Sequence, residues 1–135
     1  MAKESGLGWT TFTVDESGAA NSDIMNDVTN FDISIPRGSQ DVTGLDSSAV
    51  ERLQLLADAA ININGVFNDA ANKSHAVFKT VSSTSVVRTV TIAISSQTLP
   101  NEMNFNDYVL TRAATGEFTY SAPGQLNSTV VPTWA

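Results

Sequence analysis

The chain has 135 residues, no cysteine and a formal net charge of −7, with seven Lys and Arg against 14 Asp and Glu. This length fits one domain, residues 1–135, that buries roughly two thirds of its unfolded surface. The few Lys and Arg residues form no cluster, which argues against nucleic-acid binding as the main function. The lack of cysteine excludes thiol nucleophiles, iron–sulfur clusters and cysteine zinc sites. No segment has signal-peptide character or approaches the ~18 apolar residues of a membrane span, so we expect a soluble chain.

Short runs of β-branched residues that alternate with polar ones predict a mainly β chain. An N-terminal arm of about residues 1–8 precedes the first strand, and Pro36 ends the second. Gly116 supplies the residue that can take a positive φ in the last hairpin, and a C-terminal arm covers about residues 124–135. The predicted strands lie near residues 9–14, 28–35, 59–67, 86–95, 103–112 and 117–122.

One helix is predicted at about residues 47–57. Ser48 with Glu51 forms a capping box, and Asp46 is an alternative cap. Leu53 and Leu56 then recur at helical spacing and give the helix one apolar stripe. Because a helix of about ten residues is marginal alone, we expect it to lie against a sheet. The fold class is therefore an antiparallel β-sandwich or barrel with one short flanking α-helix.

The connection over residues 68–85 is less regular. Ser74 could begin a short helical turn through His75 to Lys79, whereas the serine-rich end is typical of a loop. His75 is the only histidine, and no motif marks a serine as its partner, so a solvated loop histidine is favoured over a catalytic one. The acidic pairs of the chain lack calcium-ligand spacing. We therefore predict no catalytic residue, no metal site and no cofactor.

Trp9 and Trp134 each lie near one end of the chain. A large apolar ring has little of its own domain to cover it there. Two interpretations are open: both rings fold back onto the sandwich, or both dock on a neighbouring subunit, since interfaces are enriched in tryptophan.

Several segments of the sequence resemble those of the tail tube proteins, or major tail proteins, of long non-contractile-tailed bacteriophages and related gene transfer particles. These are DVTNFDISIPRGSQDVTGLDSSAVERLQLLADAAININGVFND, then SHAVFKTV, DYVLTRAATGEFTYSAPGQL and the closing PTW. The resemblance covers about residues 20–135, and it implies a structural protein of the virion tail, assembled in the host cytoplasm, without enzymatic activity or membrane insertion. In that family six subunits form a ring whose sheets join into one barrel. Stacked rings enclose the tape measure protein, meet tail terminator and baseplate or tip proteins at the ends, and pass double-stranded DNA.

The resemblance also implies which residues touch other subunits. Candidates come from the segment PRGSQDVTG, from the loop over residues 68–85 and from the terminal arms. They are Pro36, Arg37, Asp41, Thr43, Asn68, His75, Phe78, Trp9 and Trp134.

A lumen that passes DNA should be acidic or neutral, because cationic walls would bind the polyanion within a Debye length of ~8 Å. Strand alternation puts one set of polar residues opposite apolar ones, and this polar face points either to the lumen or to outer solvent. The lumen candidates are Asp32, Asn62, Asn64, Asn104 and Asn106.

Two other functions fit the same composition. A tube of the type VI secretion kind shares the architecture and differs in its context. A monomeric carbohydrate-binding or adhesin β-sandwich would need a coplanar aromatic platform, which two tryptophans at opposite ends of the sequence do not indicate.

Overall fold

A computed structural model describes residues 5–16 and 22–135. These ranges form nine strands and one short helix, which confirms the prediction of a mainly β, antiparallel fold. The elements are β1 Trp9–Glu16, β2 Val28–Ser34, β3 Arg37–Asp41, β4 Arg52–Ala57, β5 Ala60–Val66, α1 Ser74–Phe78, β6 Arg88–Ile94, β7 Gln97–Phe105, β8 Val109–Arg112 and β9 Phe118–Leu126.

Seven strands form one antiparallel sheet in the order β1-β6-β7-β9-β5-β2. β9 pairs with β5 on one edge, while its other edge is shared by β8 and the end of β7. The two ends of this path meet through aromatic rings, since Phe31 of β2 lies 5.0 Å from Trp9 and 4.9 Å from Phe12 of β1. The sheet therefore folds over on itself and encloses one core.

The core follows from strand alternation. Ile61 and Ile63 of β5 are buried, and they alternate with Asn62 and Asn64, which are not. The same period of two runs through the other central strands. α1 closes one end of the core with Phe78, whose ring meets that of Phe105 edge to face at 5.1 Å.

Strands β2 to β5 form one long antiparallel hairpin. Its lower half is the β2–β5 ladder, which pairs Ser34 with Ala60. Its upper half is the β3–β4 ladder, which pairs Arg37 with Ala57 in the same alignment. Between the halves, the Asp58 amide donates a hydrogen bond to the Pro36 carbonyl at 2.9 Å.

The predicted helix at 47–57 is wrong. Residues Arg52–Ala57 form strand β4, and residues 42–51 form the hairpin tip. Leu53 and Leu55 alternate with Gln54, so the segment also has the period of a strand, and continuation of the β2–β5 register supplies backbone partners that an isolated short helix lacks. The only helix in the described ranges is α1, at the turn predicted to begin near Ser74.

The predicted strand at 103–112 is two strands. β7 ends at Phe105 and β8 begins at Val109, so that β7 pairs with the end of β9 and β8 with its beginning. The predicted hairpin turn at Gly116 is confirmed, because that residue has φ of 104° and its amide bonds the Ala113 carbonyl.

Candidate assembly surfaces

The hairpin arm, residues 37–57, projects from the folded sheet and exposes apolar side chains. Its two strands pair only with each other. Leu53 and Leu55 lie on one face of β4 and Gln54 on the other, while Leu56, beside an irregularity in the pairing, is 92% exposed. A two-stranded hairpin is marginally stable by itself. The arm therefore carries a face that its own chain does not cover. The large apolar residues exposed in it are Val42, Leu45, Val50, Leu53, Leu55 and Leu56.

Polar contacts order the tip of the arm. The Thr43 amide and hydroxyl both donate to the Asp41 carboxylate, at 2.9 and 2.6 Å. These bonds hold the pKa of Asp41 below its ordinary value of 3.8. Arg37 Nε donates to the Leu55 carbonyl at 2.7 Å. Three predicted interface residues, Arg37, Asp41 and Thr43, thus lie on the exposed arm, and Pro36 directly precedes it.

The polar face is the outward side of strands β2, β5 and β9, and it carries most of the predicted lumen residues. Asp32 pairs with Asn62, and the Asn64 amide donates to the Asn30 side chain at 2.7 Å. Ser121 of β9 donates to Asn62 at 3.2 Å. Asp32 is the one charged residue in these three strands, all of which lie in the described ranges. The face is consequently an amide and hydroxyl surface without a cation.

Asn104 and Asn106 stand at the margin of this surface. Asn104 pairs with Gln125 of β9 and accepts a hydrogen bond from Asn127 at 3.2 Å. Asn106 follows β7, in the break before β8, and borders a cavity with the loop after α1. The structure therefore brings Asp32, Asn62 and Asn64 together and sets these two asparagines to one side.

Three further interface candidates lie at the end of the β2–β5 ladder opposite the arm. Asn68 donates through its side chain to the buried carboxylate of Asp27 at 2.9 Å, and the Ser74 amide donates to the same group at 3.2 Å. His75 is half-buried, with Nδ1 3.1 Å from the Tyr108 hydroxyl. Phe78 is fully buried, which corrects its prediction as a surface contact.

His75 lies among aromatic rings. Its ring packs against Phe67 at 4.6 Å, and burial raises the pKa of Tyr108 to about 12, so that phenol stays protonated at neutral pH. In the described ranges no three His, Asp or Glu residues are grouped as metal ligands. No helix there has the length and apolar character of a membrane span.

The two tryptophans differ in burial. Trp9 is half-buried against Phe31, as expected for a ring that folds back onto the sheet. Trp134 is 44% exposed, while its neighbour Ala135 exchanges two backbone hydrogen bonds with Thr98 of β7. Residues 124–126, predicted as part of the C-terminal arm, belong to β9. The N-terminal arm lies outside the described residues at positions 1–4.

Trp9 also lines an apolar groove of about 500 Å³, where β1 and β2 approach without pairing. We call this the β1–β2 groove. Besides Trp9, it is lined by Gly6, Leu7, Phe12, Met25, Val28, Thr29, Asn30 and Phe31.

Sequence reasoning did not identify the leucines of the arm as surface residues, and it did not show that residues 109–112 form a separate, exposed strand. The alternation of Leu53, Gln54 and Leu55 was the available signal for a strand. No pattern distinguishes an apolar strand face that its own chain covers from one that it leaves open.

The fold that these surfaces belong to occurs in the tails of phage-like particles. A chain from the tail of an empty gene transfer agent particle, solved with C6 symmetry, superimposes with a TM-score of 0.74 at 20% identity, covering 97% of this chain and 99% of that one. A chain from the virion of a native gene transfer agent particle superimposes with a TM-score of 0.70 at 18% identity and the same coverage. At these identities the likeness establishes the fold. No protein-family model and no curated protein sequence gives a match.

Proposed function

We propose that this protein is the structural subunit of a phage-like tail tube, a non-enzymatic protein that assembles into stacked six-membered rings. The observation that carries the proposal is the uncovered apolar face of the hairpin arm. This face belongs to a fold that matches a chain of a C6-symmetric tail over 97% of the present chain. An amphipathic ribbon of this kind is stabilised when another subunit covers it.

The wall of the tube is the four-stranded part of the sheet, β8-β9-β5-β2. Neighbouring strands in it are antiparallel. β2 and β8 each leave one edge unpaired within the described ranges. Open edges of this kind pair readily with other chains, and closure into a barrel removes them. Six such walls joined edge to edge give one barrel around a central channel.

The polar face lines that channel. Its amides already bond one another, as Asn64 does with Asn30, and its one charge is the carboxylate of Asp32. A hydrated face without cations offers DNA no phosphate-binding group, so DNA keeps its own counterions there. The face therefore suits a conduit through which a polyanion must slide.

Rings stack through two different ends of the subunit. The arm leaves one end of the β2–β5 ladder, and residues 68–78 close the other. Because the two ends of the subunit differ, one end can contact the other end of the next subunit. Such head-to-tail contacts can add ring after ring instead of closing into a dimer. In this arrangement the arm of one ring packs against the next ring.

As a tail tube the assembly would enclose a tape measure protein, meet terminator and baseplate or tip proteins at its ends, and serve for delivery of a genome to the host cell. These partners follow from the tail tube role and not from a separate site on this chain.

Electron microscopy of the purified protein tests the proposal. We expect hollow tubes or six-membered rings at high protein concentration. A compact monomer at every concentration and salt condition, with tail fractions of the particle free of this protein, would overturn it.

A further inference from the structure

We infer that the β1–β2 groove receives Leu110 from β8 of the next subunit in the ring. This inference rests on the proposed tube, and it names the lateral contact that joins one wall to the next. A cyclic ring needs two different surfaces that fit each other. The β8 edge and the β2 edge, which carries the groove, are two such surfaces at opposite sides of one wall.

Strand direction permits the joint. β8 is antiparallel to β9, β9 to β5, and β5 to β2, so β8 and β2 of one chain run in opposite directions. A copy related by rotation about an axis near the strand direction keeps those directions. Its β8 therefore arrives antiparallel to β2, and the alternation of the sheet continues across the joint.

Strand alternation decides which side chain enters the groove. Residues directly opposed in an antiparallel pair share a face. Leu110 is opposite Tyr120, which is buried, and Phe31 is opposite Ile63, which is also buried. Leu110 and Phe31 therefore lie on the core side of the wall. When β8 of one copy continues the sheet beside β2 of the next, Leu110 comes to lie against Phe31, which lines the groove.

The neighbouring residue has the opposite orientation. Val109 is opposite Ser121, on the polar face, so in the joined wall it points to the channel. Exposure in the isolated subunit does not separate the two, since Val109 is 43% exposed and Leu110 41%. Only the contact between subunits gives Val109 and Leu110 different surroundings.

Matched aspartate substitutions use this inequality. We expect Leu110→Asp to lower the yield of sedimentable tubes at least about tenfold, because it puts a charge into an apolar interface. Val109→Asp should keep the yield of the wild type within about twofold, since its side chain stays hydrated. Equal yields from the two variants, or a greater loss from Val109→Asp, would overturn the assignment.

Cross-linking gives a second test that does not depend on the folding of a charged variant. Because the chain has no cysteine, the double variant Leu110→Cys with Phe31→Cys should form disulfides only between subunits and give a covalent ladder up to six chains. Each single variant is the control, and neither should cross-link, since the contact joins unlike surfaces. If the wild type forms tubes but the double variant gives no ladder, the contact between Leu110 and the β1–β2 groove is wrong while the proposed tube is not affected. If the wild type forms no tubes, the proposed function itself is wrong.

Discussion

The two halves of the long hairpin are built alike but buried differently. In the β2–β5 ladder, Ile61 and Ile63 of one face are at most 2% exposed because β9, β1 and α1 enclose the core beside them. In the β3–β4 ladder, Leu53 and Leu55 of one face are 56% and 43% exposed. The same local structure thus has its apolar face covered by its own chain in one half and left open in the other.

The difference separates two sources of stability. Burial within the chain holds the subunit together, and burial between chains holds the assembly together. In the proposed tube, an apolar residue in the lower half therefore stabilises the folded subunit, and one in the arm stabilises contacts between subunits.

The largest expected effect is loss of assembly from one charge on the apolar face of the arm. Leu53→Asp should lower tube yield at least about tenfold, because a side chain in the centre of an interface carries much of its binding energy. The free energy of unfolding of the unassembled subunit should change by no more than ~0.5 kcal/mol. Sedimentation and chemical denaturation measure the two quantities.

Gln54→Asp is the matched control, since it adds the same charge one residue away on the other face of β4. It should assemble normally. Loss of tubes from both variants would mean that the apolar face is not the contact.

The second effect is on folding, in the lower half of the hairpin. Ile63→Ala removes a fully buried side chain and should cost about 2–5 kcal/mol of unfolding free energy. Leu53→Ala, in the arm, should cost less than ~0.5 kcal/mol in the unassembled subunit. Urea titrations of both variants check the comparison, and similar costs would show that the arm is packed within its own chain.

A smaller effect concerns the polar face of the lower half. Lysine at Asp32, Asn62 and Asn64 together should leave tubes intact but slow DNA ejection, most strongly at low salt, because phosphate binding weakens as salt rises. Ejection is measured as the time course of DNA release from the particles. Lysine at Thr89, Thr91 and Glu102, on the outward side of strands β6 and β7, adds the same charge outside this face. This control should eject normally. Unchanged ejection from the first variant would place the three residues away from the channel.

The smallest effect concerns the arm tip. Since the folded pKa of Asp41 lies below 3.8, its contribution to tip order is complete above pH 3.8 and is lost as the pH falls through the folded value. Thr43→Ala removes the hydroxyl donor and should return the pKa of Asp41 towards 3.8. Titration of that carboxyl by NMR measures this, with Ser39→Ala as the control. An unchanged pKa would show that the hydroxyl does not hold the carboxylate.

Sequence reasoning succeeded where burial is internal. The alternation around Ile61 and Ile63 predicted a strand with one buried face, and Gly116 predicted the last turn, because both depend on short-range geometry. It failed at residues 47–57, where Leu53 and Leu56 fit a helical period and a partner was assumed within the chain. It did not identify the open apolar face of the arm, since an exposed apolar strand face has the same sequence pattern as one in a core.

Amide hydrogen exchange, compared between the unassembled subunit and the tube, tests the central claim most directly. The account predicts that residues 37–57 exchange fast in the subunit and become protected in the tube, while the amides of the β2–β5 ladder are protected in both. Equal protection of the arm in the two states would contradict it.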